Sequence, residues 1–171
     1  MVRWGRDDRL LRAAAVGFAV AVLVHNGDHL RRGGDAAPTD VFAVGTLGMV
    51  LEVAVVALVL TGHRWGPLGA TAIGASLTAG YVVVHLLPER SFLSDSLSSG
   101  EDVTWFSWVA VLGLVAASIL FASAGWAELR RRGGLASASR PTGPTGSLTH
   151  PVVAVMAIGN LVILAGSFAT L

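Results

Sequence analysis

Apolar residues fall into five runs along the chain, separated by short stretches of charged, glycine-rich or serine-rich sequence. A helix needs about 20 residues to cross the hydrocarbon core of a bilayer. The pattern predicts five transmembrane helices, over residues 10–30, 41–61, 68–87, 103–126 and 151–171. The predicted fold class is therefore an all-α integral membrane protein.

The first apolar run, residues 13–24, is too short to cross a membrane by itself. The helix must extend to about Leu30, which carries the polar stretch from His25 to His29 to membrane depth. A signal peptide is the rival interpretation of this run. It is disfavoured because polar residues follow where a small-residue cleavage motif should stand.

Residues 128–150 are rich in Gly, Ser, Thr and Pro, a composition typical of a flexible linker. The chain is thus predicted to form a four-helix transmembrane bundle over residues 1–127, a cytoplasmic linker, and a tethered fifth helix over residues 151–171. Arginine favours the cytoplasmic side of a membrane. Nine of the twelve basic residues, all arginine, lie before the first helix, between the second and third, or in the linker. We therefore expect the N-terminus inside and the C-terminus outside.

Composition narrows the class of protein. Hydrophobic residues make up 53% of the chain and charged residues 13%, and the mean hydropathy is +0.67. The lipid bilayer is the expected partner, and nucleic acid is not, because the net charge is only +1. The absence of cysteine excludes disulfides and thiolate metal sites. Arginine without lysine, together with much Ala, Gly and Val, predicts a bacterial inner-membrane protein, and its small size fits a homo-oligomer or a subunit of a larger membrane complex.

Two histidines and a carboxylate crowd together near the end of helix one. His25, Asp28 and His29 stand at positions i, i+3 and i+4, so a helix presents all three on one side. Stepping back in fours, the same side continues as small residues: Ala21, Gly17 and Ala13. A stripe of small residues is typical of a helix-packing face in membranes. The cluster is therefore predicted to point into the bundle.

A third histidine, His85, ends helix three on the same side of the membrane and is followed by Glu89. Two imidazoles at i and i+4 with a third from a neighbouring helix form a sound chelate for zinc, copper or iron. We predict a metal site formed by His25, His29 and His85, with Asp28 or Glu89 as a further ligand or as a partner that orients a histidine. The rings must then lie within roughly 8 Å of one another.

Several uses of this cluster stay open. One is a small enzyme in which the metal activates water or oxygen, and another is a carrier that passes an ion inward. A third is electron transfer by a b-type haem with His85 and one histidine of helix one as axial ligands. A structural subunit, whose histidines only bond neighbouring backbone groups, is the simplest alternative. The sequence does not decide whether the protein is an enzyme.

Glu52 lies near the middle of helix two, where an ionisable group is costly and normally faces a bundle interior. We predict that it is protonated at neutral pH unless an ion or a cation partner neutralises it. It would serve as a proton relay with Tyr81 as an intermediate, as a substrate contact, or as a hydrogen-bond donor to another span. The alternative is a structural hydrogen bond to Thr78, Asn160 or a backbone carbonyl. His63 and His150 lie on the opposite side of the membrane and are expected to be interfacial.

Overall fold

The computed structural model describes residues 6–33, 39–88, 94–98 and 102–133. These residues form four long helices, and no strand occurs within the described ranges. The helices are α1 (Arg6–Arg32), α2 (Thr39–Leu60), α3 (Gly66–Tyr81) and α4 (Trp105–Arg131), and α3 continues into a short π-helix, Val82–Leu86.

All four helices are long and apolar enough to cross a membrane, which confirms four of the five predicted spans and the all-helical class. The predicted fifth span over residues 151–171, with Asn160, and most of the linker lie outside the described residues. The N-in, C-out orientation stays a prediction. The helix boundaries differ from the predicted ones by a few residues. The largest difference is at the end of α4, which reaches Arg131, so residues 128–131 are helical rather than linker.

The helices form a ring in which α4 packs on α1 and α3, and α2 packs on the same two neighbours. Apolar side chains fill the interior, and Phe18 of α1 stacks on Phe121 of α4 with ring centroids 4.9 Å apart. Other large apolar side chains, among them Val20, Val53 and Leu120, point outward. Because a membrane helix is apolar on both faces, this outer surface suits contact with lipid.

The buried face of α1 is not the small-residue stripe that steps of four predicted. Gly17 and Ala13 are exposed, and the buried residues below His25 are Val22, Phe18, Ala15 and Leu11. The physical reason is helical geometry. Steps of four gain about 40° each and drift around the helix, whereas alternating steps of three and four stay on one face. The prediction that His25 points inward nevertheless holds, because it lies on the heptad face.

The closest approach between helices is that of α3 and α4. A Cβ atom placed on Gly74 would lie 2.7 Å from the carbonyl oxygen of Ser118, and one on Gly125 would lie 2.7 Å from that of Pro67. Glycine is required at both positions because the two backbones touch there. This pair anchors α3 and thereby sets the position of the π-helix that follows it.

An ion cluster closes the end of the bundle where α1 begins and α4 ends; we call this the Glu128 end. The side chain of Glu128 is fully buried and accepts hydrogen bonds from Arg131 and Arg132 at 2.6 and 2.5 Å. Arg132 also donates to Asp8 of α1 at 3.2 Å. These contacts between turns of α4 explain why the helix continues past the predicted boundary.

Candidate metal centre

The three predicted histidines come together at the opposite end of the bundle, which we call the His end. His25 and His29 lie on the last turns of α1, and His85 lies in the π-helix after α3. His25 is 6% exposed and His85 is 3% exposed. The wider turn of the π-helix places His85 almost parallel to Tyr81, with ring centroids 5.9 Å apart. Such local widening of a helix is frequent at functional sites.

The three imidazoles contact one another directly. Ring centroids are 4.7 Å apart for His25 and His29, 5.0 Å for His25 and His85, and 5.8 Å for His29 and His85. One ligand nitrogen from each ring can be chosen so that all three lie within 4.8 Å of one another. These separations fall well inside the roughly 8 Å limit set from the sequence. The cluster can therefore hold a metal ion.

Asp95 is the residue that sequence reasoning missed. It belongs to residues 94–98, which fold back over the His end, and its backbone carbonyl lies 2.9 Å from Nδ1 of His85. Its carboxylate oxygen Oδ2 lies 3.4 Å from the same nitrogen and 3.8 Å from Nδ1 of His29. Oxygen acceptors at Nδ1 favour a proton on that nitrogen. For His85, whose Nδ1 has the closest acceptor, this arrangement would leave Nε2 as the nitrogen that can bind a metal.

Arg32, the last residue of α1, holds Asp95 in place. Its guanidinium donates to both carboxylate oxygens of Asp95, at 2.7 and 2.9 Å, and both side chains are buried. Burial alone would raise the pKa of Asp95. Hydrogen bonds from His85 and Arg32 outweigh burial and hold that pKa well below its usual value. Asp95 is therefore an anion beside the histidines, with a fixed orientation.

The predicted carboxylate Asp28 is buried but engaged elsewhere. Arg31 donates to it at 2.9 Å and also bonds Ser107 at 3.1 Å and the backbone carbonyl of Asp102 at 3.0 Å. Asp28 thus ties α1 to the start of α4 and is not part of the group of close ligand atoms. The other predicted carboxylate, Glu89, lies outside the described residues.

The two ring nitrogens of His25 differ in their contacts. Its Nε2 lies 3.3 Å from Nε2 of His29, so these two ligating atoms face each other. Its Nδ1 is buried and has no hydrogen-bond partner among the residues that the structure describes. A buried polar atom without a partner is unusual and marks a place where a ligand or an ordered group is expected.

Glu52 faces the bundle interior, as predicted, and is 4% exposed. Its Oε1 accepts a hydrogen bond from the hydroxyl of Tyr81 at 3.1 Å. Thr78, an alternative partner in the sequence analysis, donates instead to the carbonyl of Gly74 in its own helix. The Tyr81 ring also packs edge-on against His25, with centroids 5.3 Å apart. Glu52 and the histidines are thus joined through one side chain.

His63 does not join the cluster. It lies in the turn between α2 and α3, at the Glu128 end, and is exposed. Partial burial and the nearby Arg64 lower its pKa. Its Nδ1 accepts a hydrogen bond from the backbone of Trp65 at 3.3 Å. His150 is outside the described part of the chain.

Comparisons of the chain with models of protein families, with curated proteins and with solved structures found no match.

Proposed function

We propose that this protein is a multi-pass bacterial inner-membrane protein that binds a transition-metal ion, zinc in the first place, between His25, His29 and His85. One observation carries the proposal: three largely buried imidazoles, from α1 and from the end of α3, offer ligand atoms within 4.8 Å of one another. Nitrogen atoms around one zinc ion lie about 3–4 Å apart, so small rotations of the three rings would bring their ligand nitrogens to these distances. The arginine distribution supports an extracytoplasmic position for this end.

The donor set supports an open coordination position. Among the described residues, the carboxylates nearest the cluster are Asp28 and Asp95, and arginines bind both of them. Three imidazoles without a carboxylate leave the fourth position of a tetrahedral ion to water or substrate, as in catalytic zinc sites. When bound, a metal would supply Lewis acidity there. Asp95 would orient His85 and His29 through their Nδ1 atoms, which raises the basicity of the ligating nitrogens.

The ring contacts support a single ion over a haem. Axial imidazoles of a b-type haem face each other across the porphyrin plane. Here the rings of His25 and His85 lie 5.0 Å apart and edge-on, which favours a compact ion. Haem b stays the alternative cofactor, and it would be recognised by a Soret band.

The test uses the full chain purified in detergent, with metal analysis and a visible spectrum, followed by zinc titration of the metal-free protein. We expect one zinc per chain and no Soret band. His25→Ala, His29→Ala and His85→Ala should each weaken binding by about a hundredfold or more, because each removes a ligand. Cobalt in place of zinc should give the intense visible bands of a four-coordinate ion.

His63→Ala is the matched control, since it removes an imidazole at the other end of the bundle. It should leave zinc affinity unchanged. Zinc binding that survives all three substitutions at the His end, or that His63→Ala abolishes, would show that the metal sits elsewhere and would overturn the proposal.

A further inference from the structure

Glu52 has one described hydrogen-bond partner, and that partner is neutral. The hydroxyl of Tyr81 donates to it at 3.1 Å, and no basic side chain within the described ranges bonds to its carboxyl group. It sits in the middle of a span and is almost fully buried. An ionised carboxylate without a cation partner is costly at membrane depth. The carboxyl group is therefore expected to carry a proton while the His end is empty.

Tyr81 is the side chain that joins Glu52 to the proposed metal site. Its hydroxyl binds Glu52, and its ring lies 5.3 Å from the His25 ring and 5.9 Å from the His85 ring. A dication held by those imidazoles would place two positive charges on the far side of this single ring. In a medium of low dielectric constant, such a charge strongly favours a nearby anion.

We propose that Glu52 is a proton site coupled to the metal centre, so that the His end takes up a dication as Glu52 releases its proton. This inference rests on the proposed metal site. In balance, the protonated carboxyl group and M²⁺ become the carboxylate, bound M²⁺ and one H⁺ delivered to solvent. The O–H bond of Glu52 breaks and no electrons are transferred. The hydroxyl of Tyr81 donates to the carboxylate that remains.

The other charged groups around α2 are placed so that they do not act as the proton site instead of Glu52. Two helices, α1 and α3, pack on α2. Their titratable residues that face the polar interior near Glu52 are Tyr81, His25 and His85. Further along α1, the groups beyond the histidines are Asp28, Arg31 and Arg32, whose charges are balanced by one another and by Asp95. Asp8, Arg9 and Arg12 lie at the far end of α1.

The test counts protons released when zinc binds the full chain, by calorimetry in buffers of different protonation enthalpy. Wild type should release about one proton more per zinc than Glu52→Gln. In infrared difference spectra, adding zinc should remove the carbonyl stretch of a protonated carboxylic acid from wild type but not from Glu52→Gln. Tyr81→Phe should shift that band, because it removes the hydrogen bond to the carboxyl group.

Thr78→Val is the matched control for Tyr81→Phe, because it deletes a hydroxyl on the same helix that bonds only its own backbone. It should leave the band unchanged. Zinc binding with equal proton release in wild type and Glu52→Gln would overturn the coupling and leave the metal site standing. No zinc binding by wild type would overturn both. If Glu52→Gln fails to fold, the infrared band that Tyr81→Phe shifts identifies the Glu52 carboxyl group. Loss of that band from wild type on adding zinc then supports the coupling, and its persistence overturns it.

Discussion

The two ends of the bundle both bury polar side chains, but they use them differently. At the Glu128 end, two arginines bind one carboxylate, and both also lie within 3.7 Å of a carboxylate oxygen of Asp8. At the His end, arginines engage the carboxylates Asp28 and Asp95, while the imidazoles contact mainly one another. The carboxylate of the first cluster already accepts hydrogen bonds from arginines, whereas nitrogen lone pairs in the second cluster are available to bind a metal ion.

This difference separates a structural cluster from a candidate site. Buried charges that satisfy one another hold helices together but offer nothing to a ligand. The buried Nδ1 of His25 has no hydrogen-bond partner among the described residues, so it is available to a ligand. The arginines at the His end bind Asp28 and Asp95 and hold both carboxylates in place.

The largest effect on stability is expected at the Glu128 end. Glu128→Ala removes the anion that binds Arg131 and Arg132 and should lower the free energy of unfolding by about 2–3 kcal/mol, the range for hydrogen bonds to charged groups. The arginines are partly exposed, so water limits the loss. The measurement is unfolding in mixed micelles with increasing denaturing detergent. Zinc affinity should stay unchanged, and a parallel loss of affinity would show that the two ends are not separate.

A somewhat smaller effect is expected from Asp95→Asn at the His end. Asn keeps the backbone carbonyl that contacts His85 but loses the charge that binds Arg32. Zinc affinity should fall about 10- to 100-fold, which is the usual consequence of removing a group that orients a ligand. Asp28→Asn is the matched control at the same end and should leave affinity within about threefold. If Asp28→Asn has the larger effect, the roles of the two carboxylates are reversed.

The lowered pKa of Asp95 predicts that the stability of the folded protein depends on pH in the acid range. Its pKa in the folded protein lies below the usual value of 3.8. The stabilisation that its ionised form contributes is therefore complete above pH 3.8 and is lost as the pH falls through the folded pKa. Asp95→Asn should flatten this acid limb when unfolding is followed between neutral pH and strongly acidic conditions.

The smallest effect concerns packing at the two ends. Gly125→Ala, at the Glu128 end, forces a methyl group against the carbonyl of Pro67 and should cost about 1–2 kcal/mol. Gly27→Ala, between His25 and Asp28, meets nothing within 4 Å and should be neutral or slightly stabilising. Thermal unfolding of the two variants provides the comparison. Equal effects would show that the α3–α4 contact at Gly125 is not tight.

Much of the architecture was readable from local patterns. The length of each apolar run determines whether a helix crosses the bilayer, and this property belongs to one segment at a time. The position of a residue along its apolar run also predicts its depth in the membrane. This predicted Glu52 near mid-membrane and the three histidines at one end of the bundle. The i, i+4 spacing of His25 and His29 follows from the helical repeat. These predictions needed no knowledge of the neighbouring helices.

Other features depend on contacts between segments that are distant in sequence. The rotation of α1 follows from the fit of Phe18 against Phe121, and steps of four along one helix do not reveal it. The approach of Gly74 to α4 and the hydrogen bond from Arg132 to Asp8 of α1 are further cases. Asp95 is the clearest case, because residues 88–102 carry four carboxylates and spacing does not reveal which of them folds back. Arg32 selects it by a buried ion pair, and that selection exists only once α1 and the loop are packed together.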